Sequence, residues 1–127
     1  MSMTFLRWQA PEPNRRGFHP GVFALVNGLA FNGLLSPAQE HFRRTTNDWF
    51  HANLPDPGII RPSVYDRAIN PTAAAWFKST AVQFLAKIPG YLDILRSHNI
   101  ACELVQTGQP GKVLYEDLCQ VIAAPRR

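Results

Sequence analysis

The sequence predicts an α+β fold: a helical N-terminal two thirds packed on a small antiparallel sheet, itself made from a C-terminal β-hairpin and an N-terminal strand. Three observations carry this reading. Apolar residues recur at helical spacing in successive segments between Gly21 and His98. Two of those segments open on helix-start signatures, Ser36-Pro37 and Asn70-Pro71. Beyond Asn99, strand-prone runs flank a glycine- and proline-containing turn, Thr107 to Gly111. A chain of 127 residues, 46% apolar and 17% charged, can bury one core without disulfides or metal. One domain over residues 1–127 is therefore expected, with an edge strand and linker (1–13), a helical part (14–99) and a hairpin part (100–125).

In chain order, Met3–Gln9 reads as a short edge strand that ends before Pro11 and Pro13. Asn14–Pro20 is a basic loop. Val22, Leu25, Val26 and Leu29 mark a first helix that Gly33 stops. Ser36, Pro37 and Gln39 form a capping box with proline at the first helical position, opening a helix to about Asn53 with Phe42, Thr46, Trp49 and Phe50 on one stripe. Asp56–Ile69 is a proline-punctuated loop with an extended or turn piece at Ser63–Asp66. From Asn70-Pro71 the positions Ala73, Trp76, Phe77, Thr80, Ala81, Phe84 and Ile88 predict a long helix. Pro89-Gly90 breaks or kinks it, and a short helix follows to about His98, with Asn99 at its end. Ile100–Gln106 and Lys112–Glu116 are then hairpin partners, Thr107 facing Lys112 and Glu103 facing Glu116. Leu118–Ala124 is a third strand or a bulged continuation of the second; Glu116-Asp117 lacks the glycine that a two-residue turn prefers.

Several function classes find no support. The net charge is +4, but the basic residues form only the isolated pairs Arg15-Arg16, Arg43-Arg44 and Arg126-Arg127, so no clustered face for nucleic acid is indicated. The longest apolar stretch, Gly21 to Leu35, is interrupted by Asn27, Gly28, Asn32 and Gly33 and is too polar to span a membrane. Residues 1–7 lack the basic-then-apolar layout of a secretory signal, and a cytoplasmic location is expected. Cys102 and Cys119 are too few and too far apart for zinc and read as free thiols; no metal or cofactor is expected. His19, His41, His51 and His98 show no metal-binding spacing. Neither a nucleophile elbow nor a phosphate-binding glycine loop is present.

Three constellations remain. Arg15, Arg16 and His19 precede a helix start, where guanidinium forks and the helix dipole favour a carboxylate or phosphate. Trp76 and Lys78, with Tyr65, Asp66 and Arg67, place aromatic surface beside a cation. Tyr115, Glu116, Asp117 and Gln120 place two carboxylates at a strand end, an acid/base pair if a turn makes them converge. Glu116, Asp117 and His19 are the candidate catalytic groups. Arg15, Arg16, His19, Trp76, Lys78, Tyr115 and Gln120 are the candidate ligand-binding ones.

The segments Arg16-Gly17-Phe18, Gly33 to Ser36, Ala75 to Lys78, and Pro110 to Asp117 with Gln120-Val121 together resemble a group of small bacterial hypothetical proteins, chiefly actinobacterial. Those chains pair a Trp-Phe-Lys helix with a closing hairpin of Pro-Gly, Tyr-Glu-Asp and Gln-Val. The resemblance spans about Arg15 to Pro125. It implies that Trp76, Lys78, Tyr115, Glu116, Asp117 and Gln120 form a family pattern, and it transfers no catalytic role. The function expected is that of a small binding or accessory protein for an anionic small molecule or a protein partner. The alternatives are a small transferase or hydrolase on a nucleotide-like substrate, with Glu116 or Asp117 as acid/base, and an oligomerisation module. The module would form a homodimer through Val22–Leu35, with Phe23 and Phe31 exposed.

Overall fold

The computed structural model describes residues 3–125; the Arg126-Arg127 pair lies outside them. Its five strands are β1 (Phe5–Gln9), β2 (Ala74–Lys78), β3 (Glu103–Thr107), β4 (Lys112–Glu116) and β5 (Gln120–Ala124). They form one antiparallel sheet in the order β3-β1-β2-β5-β4. Helices α1 (Val22–Phe31), α2 (Pro37–Asn53) and α5 (Ile88–Ser97) supply most of the helical part, with single turns α3 (Pro57–Ile60) and α4 (Val82–Leu85) and a 3-10 turn at Pro62–Tyr65. The α+β class holds. None of the described helices is long and apolar enough to cross a membrane.

The helix boundaries with strong local chemistry fall where the sequence places them. Gly33 has φ +68 and terminates α1, with Gly33 N–H bonded to Ala30 and Leu34 N–H to Leu29. Asn99 (φ 57) ends α5 in the same way, its own N–H bonded to Arg96 and that of Ile100 to Leu95. At α2, Ser36 Oγ accepts from Gln39 N (3.2 Å) and Gln39 Oε1 accepts from Ser36 N (3.0 Å). The Gln39 amide also donates to Ser97 Oγ (2.8 Å), which ties the start of α2 to the end of α5. Ser36→Ala is expected to cost about 1 kcal/mol, read as a melting point lowered by about 4 °C with the native fold retained.

Three expectations are corrected. The long helix over residues 70–88 does not form: Ala74–Lys78 is strand β2, and only Val82–Leu85 is helical before Ile88. Trp76 and Phe77 satisfy helical spacing, yet they equally serve the two faces of a strand, and pairing with both β1 and β5 selects the strand. The Trp-Phe-Lys segment is thus not helical, and Pro89 is the second residue of α5, in the first turn where its missing N–H is harmless, instead of breaking a helix. The second correction concerns the hairpin. β3 and β4 do not pair; they lie at opposite edges of the sheet. β3 pairs with β1 from Phe5↔Thr107 to Gln9↔Glu103, and the closing hairpin is β4–β5, with Glu116↔Val121. This arrangement removes the Glu103–Glu116 juxtaposition and lets Lys78 Nζ meet Glu116 Oε2 at 2.6 Å. The third follows from it: β1 is an interior strand, flanked by β3 and β2, and not an edge.

The core gathers Val26, Phe50, Phe77, Phe84, Ile88, Tyr91 and Leu95 between the helices and the sheet. Phe23 meets both Phe50 and Tyr91 edge-to-face at 5.0 Å between ring centroids. The Tyr91 hydroxyl donates to Asn47 Oδ1 (2.6 Å), so this aromatic cluster buries no orphaned donor there. A smaller cluster of Val64, Ala73, Tyr115 and Ile122 lies under the 57–73 segment.

Candidate functional site

The sheet is split along one seam. The β1–β2 ladder consists of Phe5↔Lys78 and Leu6↔Phe77 alone, whereas β1 stays paired with β3 to Gln9 and β2 with β5 to Ala74. The two strands therefore part after Leu6. Arg7 stands in the opening: Nη1 donates to the Ala75 carbonyl (3.1 Å), Nη2 to the His19 carbonyl (2.8 Å) and Nε to Gln9 Oε1 (2.9 Å). Its guanidinium lies 5.4 Å from the Phe18 ring centroid.

Only 9% of Arg7 is exposed, yet all three of its hydrogen-bond acceptors are neutral. Among the described residues the ion pairs are Glu40 with Arg43 and Arg44, Lys78 with Glu116, and Asp93 with Arg96; none involves Arg7. Burial lowers its pKa from the ordinary guanidinium value, with Tyr65 and Cys102 acting in the opposite direction. A guanidinium stays charged in a protein, so among the described residues this is a buried cation without a counter-ion.

Beside it opens a cleft of about 470 Å³. The walls are Leu6, Trp8, Ala75, Trp76 and Phe77 from the parted strands, Val22 and Phe23 from the start of α1, and Phe50 and Leu54 from the end of α2. Polar groups are few: Arg7, His51, Asp56, Tyr65 and Gln120. Two of these are already engaged. Asp56 Oδ1 accepts from Gly58 N (2.9 Å), and the Gln120 amide donates to the Pro55 carbonyl (2.9 Å) and Asp117 Oδ2 (3.0 Å). Burial raises the Tyr65 pKa, Arg7 opposes that and Asp56 adds to it, so the phenol is a neutral donor at physiological pH. Helix α1 begins at Gly21 with no capping side chain, and a Cβ there would lie 3.4 Å from both Nη atoms of Arg7. A smaller hollow of about 200 Å³ shares Arg7 and Trp76 with the cleft and is also lined by Gln9, Phe18, His19 and Thr72.

The structure scatters the residues singled out from sequence. Arg15 and Arg16 are exposed and line neither hollow. His19 lines the smaller one, its Nδ1 2.9 Å from the Ala10 carbonyl. Trp76 lines both. Lys78 is held by Glu116. Tyr115, Asp117 and Gln120 do converge, but on each other: Tyr115 Oη donates to Asp117 Oδ2 (2.7 Å), and Asp117 Oδ1 accepts from Cys119 N (2.8 Å) and Gln120 N (3.0 Å). That carboxylate takes the place of a turn glycine, leaving Leu118-Cys119 as the hairpin loop and β5 as a separate strand. Glu116 and Asp117 share no hollow with His19. Phe31 is 91% exposed at the end of α1, whereas Phe23 packs in the aromatic cluster. No three His, Cys, Asp or Glu side chains converge among the described residues.

Arg7, Trp8, Phe23 and Phe50 are the cleft residues that sequence patterning passes over. Arg7 between Leu6 and Trp8 reads as the solvent face of an edge strand; the interior position of β1 is what buries it. No family model, curated protein or solved structure matches the chain.

Proposed function

We propose that this chain is a small binding protein that holds a mainly apolar molecule bearing an anionic group in the β1–β2 cleft. The single observation that carries this reading is the buried Arg7 guanidinium, without an ion-pair partner among the described residues, in the wall of a 470 Å³ apolar cavity. A cavity of that size suits a small organic ligand, and few but well-placed polar groups are what such sites use for orientation. Three of the five guanidinium N–H groups are used within the protein, leaving two for a ligand anion. An acid/base enzyme finds less support, because the Glu116 carboxylate is paired with Lys78 and that of Asp117 is saturated by the hairpin.

Anilinonaphthalene sulfonate, an apolar anion, tests the reading on the native protein. Saturable one-to-one binding is expected, with quenching of Trp8 and Trp76 emission. Arg7→Gln keeps a donor but removes the charge, and is expected to weaken binding by about tenfold, the worth of one charge-assisted hydrogen bond. Absence of saturable binding to folded native protein would overturn the reading.

A further inference from the structure

Resting on that reading of the cleft, we infer that the ligand is an aromatic monocarboxylate, its carboxylate set between Arg7 and the uncapped start of α1 and its ring system lying among the aromatic walls. Charge comes first. Among the described residues Arg7 is the only Lys or Arg lining the cleft, and the exposed Asp56 lines it as well. The single buried positive charge of Arg7 balances a monoanion and leaves a phosphate monoester, or a nucleotide with several charges, uncompensated, an excess to which the solvent-exposed Asp56 carboxylate adds. A guanidinium edge also matches the planar geometry of a carboxylate.

Polarity and shape define the rest of the molecule. Gln120 and Asp56 Oδ1 are occupied by protein partners. His51 and Tyr65 are the remaining polar side chains beside Arg7, too few for the several hydroxyls of a ribose or other hydroxylated body, which would bury donors and acceptors without partners. Six aromatic side chains line the cleft: Trp8, Phe23, Phe50, Tyr65, Trp76 and Phe77. Rings in such number favour a flat, polarisable body through stacked and edge-to-face contacts, which a flexible alkyl chain does not match. The volume equals that of about fifteen water molecules, room for two or three fused or linked rings.

The carboxylate end is specified by two features that reinforce each other. Gly21 carries no side chain, and the guanidinium lies against it, 3.4 Å from where a Cβ would stand; the uncapped start of α1 lines the same cleft. Both favour negative charge there. Gly21 has φ −80 and ψ 169, a geometry open to serine, whose hydroxyl would cap α1 from within the protein.

Calorimetric titration of the native protein with naphthoate, naphthamide, naphthyl phosphate and dodecanoate tests the inference. Naphthoate is expected to bind one-to-one and about tenfold more tightly than each of the other three. Arg7→Gln is expected to bring naphthoate down to the affinity of naphthamide while leaving naphthamide unchanged. Gly21→Ser, which raises or preserves the melting point, is expected to weaken naphthoate alone. Equal binding of naphthoate and naphthamide would overturn the head-group assignment and leave the cleft reading standing. Tighter binding of naphthyl phosphate would mark a dianion site, and tighter binding of dodecanoate an alkyl-acid site; either overturns the inference. Failure of all four probes, with anilinonaphthalene sulfonate still bound, overturns the inference alone. If that anion also fails to bind, the cleft reading falls with it.

Discussion

Asp117→Ala is expected to destabilise the protein by about 2 to 3 kcal/mol, seen as a fall of several degrees in melting point and an earlier denaturant midpoint. The carboxylate accepts four hydrogen bonds, from Tyr115 Oη, Cys119 N, Gln120 N and Gln120 Nε2. Removing it strands the donors of Gln120, which is 3% exposed, and opens the only turn joining β4 to β5. The same group sets the pH response. Burial works against ionisation of Asp117, but the hydrogen bonds from Tyr115, Cys119 and Gln120 outweigh it and hold its pKa below the ordinary carboxyl value. A depressed folded pKa means that this stability is present above the unfolded value of about 3.9 and is lost as pH falls through the folded value. Tyr115 acts at the other limit. Burial, then its hydrogen bond to Asp117, pushes its pKa up to about 12. A raised value means that the contribution is intact below the unfolded tyrosine pKa of about 10 and disappears as pH rises from there through the folded value. Acid and alkaline unfolding followed by circular dichroism check both arms: Asp117→Asn is expected to flatten the acid limb, and Tyr115→Phe the alkaline one.

Gly111→Ala is expected to cost about 3 kcal/mol, with loss of the β4–β5 ladder at the Lys112↔Ala124 end. Gly111 has φ +125, a conformation that side chains rarely adopt, and a Cβ there would lie 2.2 Å from the Ala124 carbonyl oxygen. The obstacle is the backbone of the paired strand and cannot swing aside as a side chain could. Gly33→Ala is the control: φ is +68 but nothing lies within 4 Å of the added carbon, so only the conformational cost of about 1 kcal/mol is expected. A difference of less than about 1 kcal/mol between the two variants in chemical denaturation would contradict the close backbone approach.

These variants separate what is legible locally from what is not. The start of α2 could be read from Ser36, Pro37 and Gln39 because a capping box satisfies its own donors within four residues. The ends of α1 and α5 were legible for the same reason, through Gly33 and Asn99. Trp76 and Phe77 were ambiguous because their burial fits both periodicities, and the choice was made by β1 and β5, which lie far away in sequence. The candidate site was legible only in part. Trp76 was found, and so was the Tyr115–Asp117–Gln120 group, although its members hold a turn together. Arg7 was not found, since a charged residue between two apolar ones in a strand has a solvent-facing pattern.

By itself, then, the sequence determined the α+β class, the positions of α1 and α2 and the end of α5; the helix bounds depend on neighbours within a few residues. Tertiary structure decided the strand order, the pairing of β3 with β1 instead of β4, and the parting of β1 from β2. Strand pairing is a contest among distant partners, settled by which arrangement buries the most apolar surface while relieving clashes such as Glu103 against Glu116. The same contest placed β1 inside the sheet, and with it the Arg7 cation on which the proposed binding site depends.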